Sequence, residues 1–203
     1  QRGGPRRQNN RGQQGRQQRP EPEALKNETW ARIIEHDTKT GVATAMAEKT
    51  LAFCRVKVKG NDVLSVNQRI YIGKDRSKRQ AISNIVGMAH FDKMSNMARQ
   101  DMEVVIGMFI EEHSQYFVEE FYNKAGYMSL KVHAFELFNS VGKPTAQKMV
   151  KAREKVGAFA SMAEFNALTN TDGIALLKSR FLVEIRDKSI QPRLTELLLP
   201  VEA

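Results

Sequence analysis

Four stretches of this chain are apolar or alternate over lengths suited to β-strands: residues 29–35, 50–59, 68–73 and 81–88. They are short, rich in Ile and Val, and separated by turn signals at 37–41 and 60–62. The alternation is plainest over 51–59. There Ala52, Cys54, Val56 and Val58 are expected to face a core, with Phe53, Arg55, Lys57 and Lys59 on the opposite face. In 69–73, Ile70 and Ile72 point one way and Arg69 and Tyr71 the other. After Ser95, a candidate N-cap, the period becomes helical, with Met97, Met102, Val105, Met108 and Phe109 as an apolar stripe. Residues 114–125 predict a second helix with Phe117, Val118, Phe121 and Tyr122 on one side, closed by Gly126. Such Met and aromatic stripes read as packing that locks two domains together.

Further on, 133–138 and 145–155 are helical patterns joined by a tight turn. Ser161 and Glu164 have capping-box spacing, Asp172 can cap a last helix over Gly173–Arg186, and 193–199 suits an edge strand or a short helix equally. Strands followed by helices predict an α+β chain: a small closed barrel of the oligonucleotide/oligosaccharide-binding (OB) type, then an all-helical domain. The expected boundaries are a tail over 1–24, the barrel over 25–92, connecting helices over 93–127, a hairpin-containing helical domain over 128–190 and a C-terminal segment over 191–203.

Charge changes this picture. The net charge is +9, but residues 1–20 hold six arginines (Arg2, Arg6, Arg7, Arg11, Arg16, Arg19) and no acid, leaving +3 for the rest. A segment of Gln, Arg, Gly, Asn and Pro cannot bury enough apolar surface to fold alone, so the tail is expected to be disordered, with 21–27 as a linker. Arginines spaced by Gly and Gln can wrap a phosphate backbone and stack on unpaired bases; a solubilising tail is the plainer alternative. The 74–79 loop is the densest charge cluster outside the tail, with Lys74, Arg76, Lys78 and Arg79 against Asp75. Phosphate contact is the reading favoured for it. The strand face carrying Arg55, Lys57, Lys59, Arg69 and Tyr71 fits backbone attraction with base stacking, and fits an ordinary solvated barrel face equally well.

The turn at 139–145 supplies the remaining chemistry. Gly142 can take positive φ and come close to a ligand, Pro144 suits a first helical turn, and Lys143 stands beside the free amides of the next helix. Those amides, the helix dipole and an ammonium could together hold a phosphate, with Ser140, Thr145 and Lys148 alongside. On the turn alone, an ordinary corner with a solvated Lys143 explains the residues as well.

Taken with the capped helix that follows, this segment resembles the helix–hairpin–helix nucleic-acid-binding module. That family's usual Pro-Gly-Ile-Gly-Lys carries two glycines, whereas here Ser140 occupies the first glycine position. A second copy near 171–178 has one glycine and no adjacent lysine, which implies a structural role there. The run from Arg69 through Lys74 and Asp75 to Lys78, with the helix start near Ser95, resembles an archaeal family labelled as a domain of unknown function. That family joins an OB-like barrel to one helix–hairpin–helix, and its genes tend to sit beside those for a ribosomal protein and a ribosomal-RNA dimethyltransferase. The resemblance covers about 25–190 and implies nucleic-acid binding, RNA above all, with no catalytic residue.

The lone Cys54 excludes an internal disulfide and reads as a buried small hydrophobe. His36, His90, His113 and His133 fall in separate elements with no metal spacing, and no phosphate loop, nucleophile elbow or dinucleotide fingerprint occurs. No metal or cofactor is expected. No run of eighteen apolar residues exists, which suits a soluble, cytoplasmic chain with no membrane partner. The expectation is a non-enzymatic protein binding RNA, ribosomal RNA foremost, with ribosomal proteins as further partners, monomeric when off the ribosome. A DNA-junction binder and a protein–protein adaptor are the alternatives.

Overall fold

The computed structural model describes residues 20–201. The six tail arginines, and with them most of the expected 1–24 tail, lie outside the described residues. The architecture is α+β, with five antiparallel strands curled into a half-barrel and six helices after them. Strands β1 (Trp30–Asp37), β2 (Val42–Ala47), β3 (Phe53–Val58), β4 (Arg69–Tyr71) and β5 (Ile82–Met88) are ordered β4-β1-β2-β3-β5. Four of them fall on the four expected runs. The fifth, β2, was not foreseen because half of Val-Ala-Thr-Ala-Met-Ala is alanine, a residue of strong helical preference. Packing overrides that preference. Ala43, Ala45 and Ala47 are fully buried on the concave face, where small side chains suit a tightly curled sheet.

That concave face holds its own core, built from Ala31, Ile33, Cys54, Val56, Ile70 and Ile82 with Leu25 and Leu64. Cys54 is buried as expected, and burial pushes its thiol up to about 12.

The expected closed barrel is instead open, with β4 and β5 as its two edges. The 72–81 loop spans the gap. Arg79 is 1% exposed and donates to the carbonyls of Ile72 (2.8 Å) and Gly73 (3.0 Å) while pairing with both oxygens of Glu21 (2.7 and 3.0 Å). Lys59 in turn donates to the Arg79 carbonyl. Backbone acceptors beyond Tyr71 are thus satisfied by a side chain rather than by a neighbouring strand. The 21–27 stretch, expected as a linker, belongs to the fold. It carries the 3₁₀ turn Glu23–Leu25 with Leu25 buried, and next to it Glu28 accepts from the Lys49 amide and the Thr50 hydroxyl.

The convex face of the sheet is covered at one end by helix α1 (Asn96–Glu112). Ser95 caps α1 as predicted, accepting from the Ala98 amide at 3.0 Å. Ala98, Met102, Val105, Ile106, Phe109 and Ile110 are buried in a core that also takes in Ile34, Met46 and Phe53 from the sheet. Phe53 therefore shares the Arg55 side of β3 but is covered, not exposed. Met97 and Met108 lie off the buried stripe and are exposed. Arg32 pins the two layers together, pairing with Glu48 (2.8 Å) on the sheet side and Glu112 (2.7 Å) at the end of α1.

The predicted 114–125 helix is α2 (Ser114–Phe117) running into a π turn, Val118–Tyr122, and all four predicted apolar residues are buried. The 133–138 pattern is only a 3₁₀ turn, Ala134–Leu137, capped by His133. Then follow α3 (Lys143–Val156), α4 (Met162–Thr169), α5 (Gly173–Arg186) and α6 (Leu194–Leu198), with Ser161 and Asp172 in their predicted capping roles. The 193–199 ambiguity resolves as a helix because Glu184, fully buried, accepts from the first amides of α6, Leu194 (2.8 Å) and Thr195 (2.9 Å). Arg180 completes this network, reaching Glu184 (2.7 Å), the Leu137 carbonyl (2.9 Å) and the Pro192 carbonyl (2.6 Å). Among the described residues no helix is long and apolar enough to cross a membrane.

Candidate functional site

The turn before α3 is held from below by apolar anchors. Phe138 and Val141 are buried, and the Val141 amide donates to the Phe138 carbonyl at 2.8 Å. Gly142 is the N-cap with φ −85° and ψ 172°, an extended conformation open to any residue, so the expected positive φ is not used. No side chain caps the helix. Pro144 has no N–H, and among the described residues the amides of Gly142, Lys143 and Thr145 have no hydrogen-bond acceptor. Ser140 and Lys143 are exposed and Thr145 is half-buried.

Beyond the turn, Lys148, Lys151 and Lys155 recur at i, i+3 and i+7 and are all exposed on one side of α3. With Lys143 they form a cationic strip in which no member reaches a carboxylate among the described residues. Lys151 and Lys155 were not singled out from the sequence, although their spacing with Lys148 was the available signal. Arg153 turns inward instead, donating to the Tyr122 and Asn123 carbonyls.

The turn at 170–173 is built differently. Asn170 takes the left-handed conformation at φ 54°, and the Gly173 amide is already held by Asn166 at 2.8 Å. A β-carbon on Gly173 would stand 2.4 Å from the Met162 sulfur, so glycine here serves close packing of α4 on α5.

On the half-barrel, most candidate cations are already committed. Lys57 donates to the Thr40 carbonyl (2.7 Å) and Lys59 to that of Arg79. Lys78 pairs with Asp75 at 3.6 Å and Arg76 with Glu21 at 3.5 Å. Arg79, expected to contact phosphate, is buried inside the 72–81 loop; its contribution to the charge cluster is a structural brace. The hydrogen bond from Arg79 holds the Glu21 carboxyl below its ordinary range. Lys74 is exposed with no partner among the described residues. Arg55 is likewise open, projecting into a cleft of about 670 Å³ between the sheet and the 88–95 segment, whose walls also carry Glu35 and Asp37.

Arg69 and Tyr71 meet a residue the sequence reading passed over. Trp30 pairs with Tyr71 across β1 and β4, and the two rings stand edge to face with centroids 5.3 Å apart. The signal was a lone Trp on the same strand face as Arg32, directly opposite the Tyr71 strand. The patch is polar at its rim, half-exposed, and offers both an aromatic surface and a cation.

Comparison with known proteins places the chain. The family described as "Protein of unknown function (DUF655)" matches residues 31–194. The uncharacterised protein MJ0038 of Methanocaldococcus jannaschii is 23% identical over 129 residues, which is 64% of this chain and 58% of that protein's length. The crystal structure of the DUF655 protein Af1531 from Archaeoglobus fulgidus shares the fold, with a TM-score of 0.75 at 20% identity over 83% of this chain and 99% of that one. With the match spanning most of the half-barrel and helices just described, this chain belongs to the DUF655 family.

Proposed function

We propose that this protein is a non-enzymatic RNA-binding protein acting on the ribosome or during its assembly. In this reading the half-barrel is an OB-like module and the 133–156 segment is a single helix–hairpin–helix. One observation carries it: among the described residues the turn before α3 leaves three backbone amides open at the head of a strip of four unpaired lysines, whereas the matching turn before α5 has its glycine amide filled by Asn166. Open amides, the positive end of a helix and an ammonium together suit a phosphate oxygen. Lys148, Lys151 and Lys155 would extend the contact along the sugar-phosphate strand.

The half-barrel contributes through Arg55 and Lys74, which are free to move to a ligand. Lys57 and Lys59 add positive potential from fixed positions, Lys78 and Arg69 contribute less because Asp75 and Glu48 answer their charge, and Arg79 leaves the contact set. The tail arginines supply sequence-tolerant attraction and raise the local concentration of RNA.

The test is to crosslink the full chain to nucleic acid in cell extract and sequence what is bound, alongside co-sedimentation with ribosomal subunits. Ribosomal RNA and a subunit-associated fraction are expected. Genomic DNA would replace this reading with a junction binder, and recovery of neither nucleic acid would overturn both.

A further inference from the structure

Between the π turn and the 3₁₀ turn, residues 127–133 form a small hairpin closed by a bridge between Tyr127 and His133. Its tip is folded: the amides of Met128 (2.9 Å) and Ser129 (3.3 Å) both donate to the Val132 carbonyl, and Ala134 donates to Gly126 at 2.9 Å. Yet its side chains are unusually apolar for an exposed element. Leu130 is 102% exposed, Tyr127 66%, Met128 45% and Val132 38%. The Tyr127 ring meets that of His133 at a right angle, with centroids 5.1 Å apart, so it is braced while most of its surface stays open.

The hairpin forms one wall of a cleft of about 570 Å³ whose other wall is Lys143 and Gln147. Lys131 also lines it, and among the described residues no acid does. An aromatic and apolar wall facing an ammonium, with no carboxylate among the described lining residues, is complementary to a nucleotide: the base is flat and polarizable, and its phosphate is anionic. Single-strand binders combine cationic grooves with aromatic stacking platforms in this way, and a neighbouring aliphatic side chain can pack against the stacked base. A continuous duplex has no free base face to offer Tyr127.

We propose that the 127–133 hairpin is a stacking platform for unpaired bases, with Tyr127 and Leu130 as its contact residues, which makes the preferred ligand single-stranded RNA. The inference rests on the RNA-binding reading above and adds to it the strandedness of the ligand and the residues that sense it.

The test uses the full chain in fluorescence anisotropy, with a short labelled unstructured RNA and a blunt duplex of the same sequence. Single strand should bind about tenfold or more tighter than duplex. Tyr127→Ala should weaken single-strand binding by about fivefold to a hundredfold, the scale of losing one stacked base, and Leu130→Ser should weaken it by a smaller factor. Duplex binding should stay unchanged, and Tyr127→Phe should retain full affinity because stacking needs only the ring. Leu130 touches little in the fold, so its variant should melt like the parent. Binding to neither RNA overturns the RNA-binding reading itself. Binding that ignores strandedness, or is unmoved by Tyr127→Ala and Leu130→Ser, overturns the platform alone. If Leu130→Ser abolishes self-association while RNA affinity persists, the tip is a contact between copies and the platform is again overturned.

Discussion

The Arg69 guanidinium lies 4.5 Å from the centre of the Trp30 ring while Glu48 grips it with both carboxylate oxygens, at 2.8–3.1 Å. Glu48 also holds the buried Arg32 at 2.8 Å, so one carboxylate serves two guanidinium groups. Arg69 is therefore oriented but largely neutralised. Because Trp30 is the chain's one tryptophan, its emission reports on this patch. Arg69→Ala should shift that emission and cost about 0.5–1 kcal/mol in urea unfolding, the scale of an exposed cation–π contact. RNA affinity should fall less than about threefold. A larger loss would place the patch at the centre of the contact.

Lys143 differs in having no carboxylate partner among the described residues. Lys143→Glu should lower RNA affinity about tenfold or more, and reduce the slope of log affinity against log salt by about one contact. Its melting temperature should match the parent's, since the side chain is exposed. Equal affinity in the variant would reduce the turn to scaffolding.

Buried charge behaves oppositely. Glu184 is fully buried and accepts from Arg180 and from the first two amides of α6. Glu184→Ala leaves the Arg180 guanidinium without its carboxylate partner and should cost about 3–5 kcal/mol, measured by denaturant unfolding. The simultaneous replacement of Arg180 and Glu184 by apolar residues should cost less than the sum of the single changes, because no lone charge then remains.

Acid should weaken the fold in two stages. Burial, the larger cause, holds the His113 and His133 imidazoles below their ordinary 6.5, and Arg153 adds to the effect at His133. Protonation would also break the His133 cap, whose Nδ1 accepts from the Phe135 amide at 3.1 Å. The unfolded chain takes up these protons near 6.5 and the folded chain does not. Stability is thus full above that value and is lost as pH falls from it through the depressed folded values. Glu21 and Glu112, held below their ordinary 4.5 by hydrogen bonds from Arg79 and Arg32, give the second loss as pH falls below 4.5. Thermal melts from about pH 8 to 3 should show both stages, and His133→Asn should diminish the first.

Helices α1, α4 and α5 were legible because their N-terminal ends are written locally. Ser95, Ser161 and Asp172 each satisfy an amide three residues away, so no tertiary information is needed to place them. Strand β2 was not, because alanine becomes a strand residue only when a curled sheet closes over it. Arg79 was misread for a related reason. A dense basic loop says nothing about which of its cations turns inward, and the acid that draws this one, Glu21, lies 58 residues away. The open amides of the turn at 142–145 followed from Gly-Lys-Pro, while Trp30 and Tyr127 needed their neighbours in space to be seen as surfaces.

The brace at Arg79 also bears on solubility. A sheet that stops without closing exposes acceptors that a strand of another molecule could recruit. Here the β4 rim is three residues long and the carbonyls just past it are capped from within by a guanidinium. Removing that cap, as in Arg79→Leu, would uncover a seeding edge, visible as light scattering from concentrated, still largely folded protein.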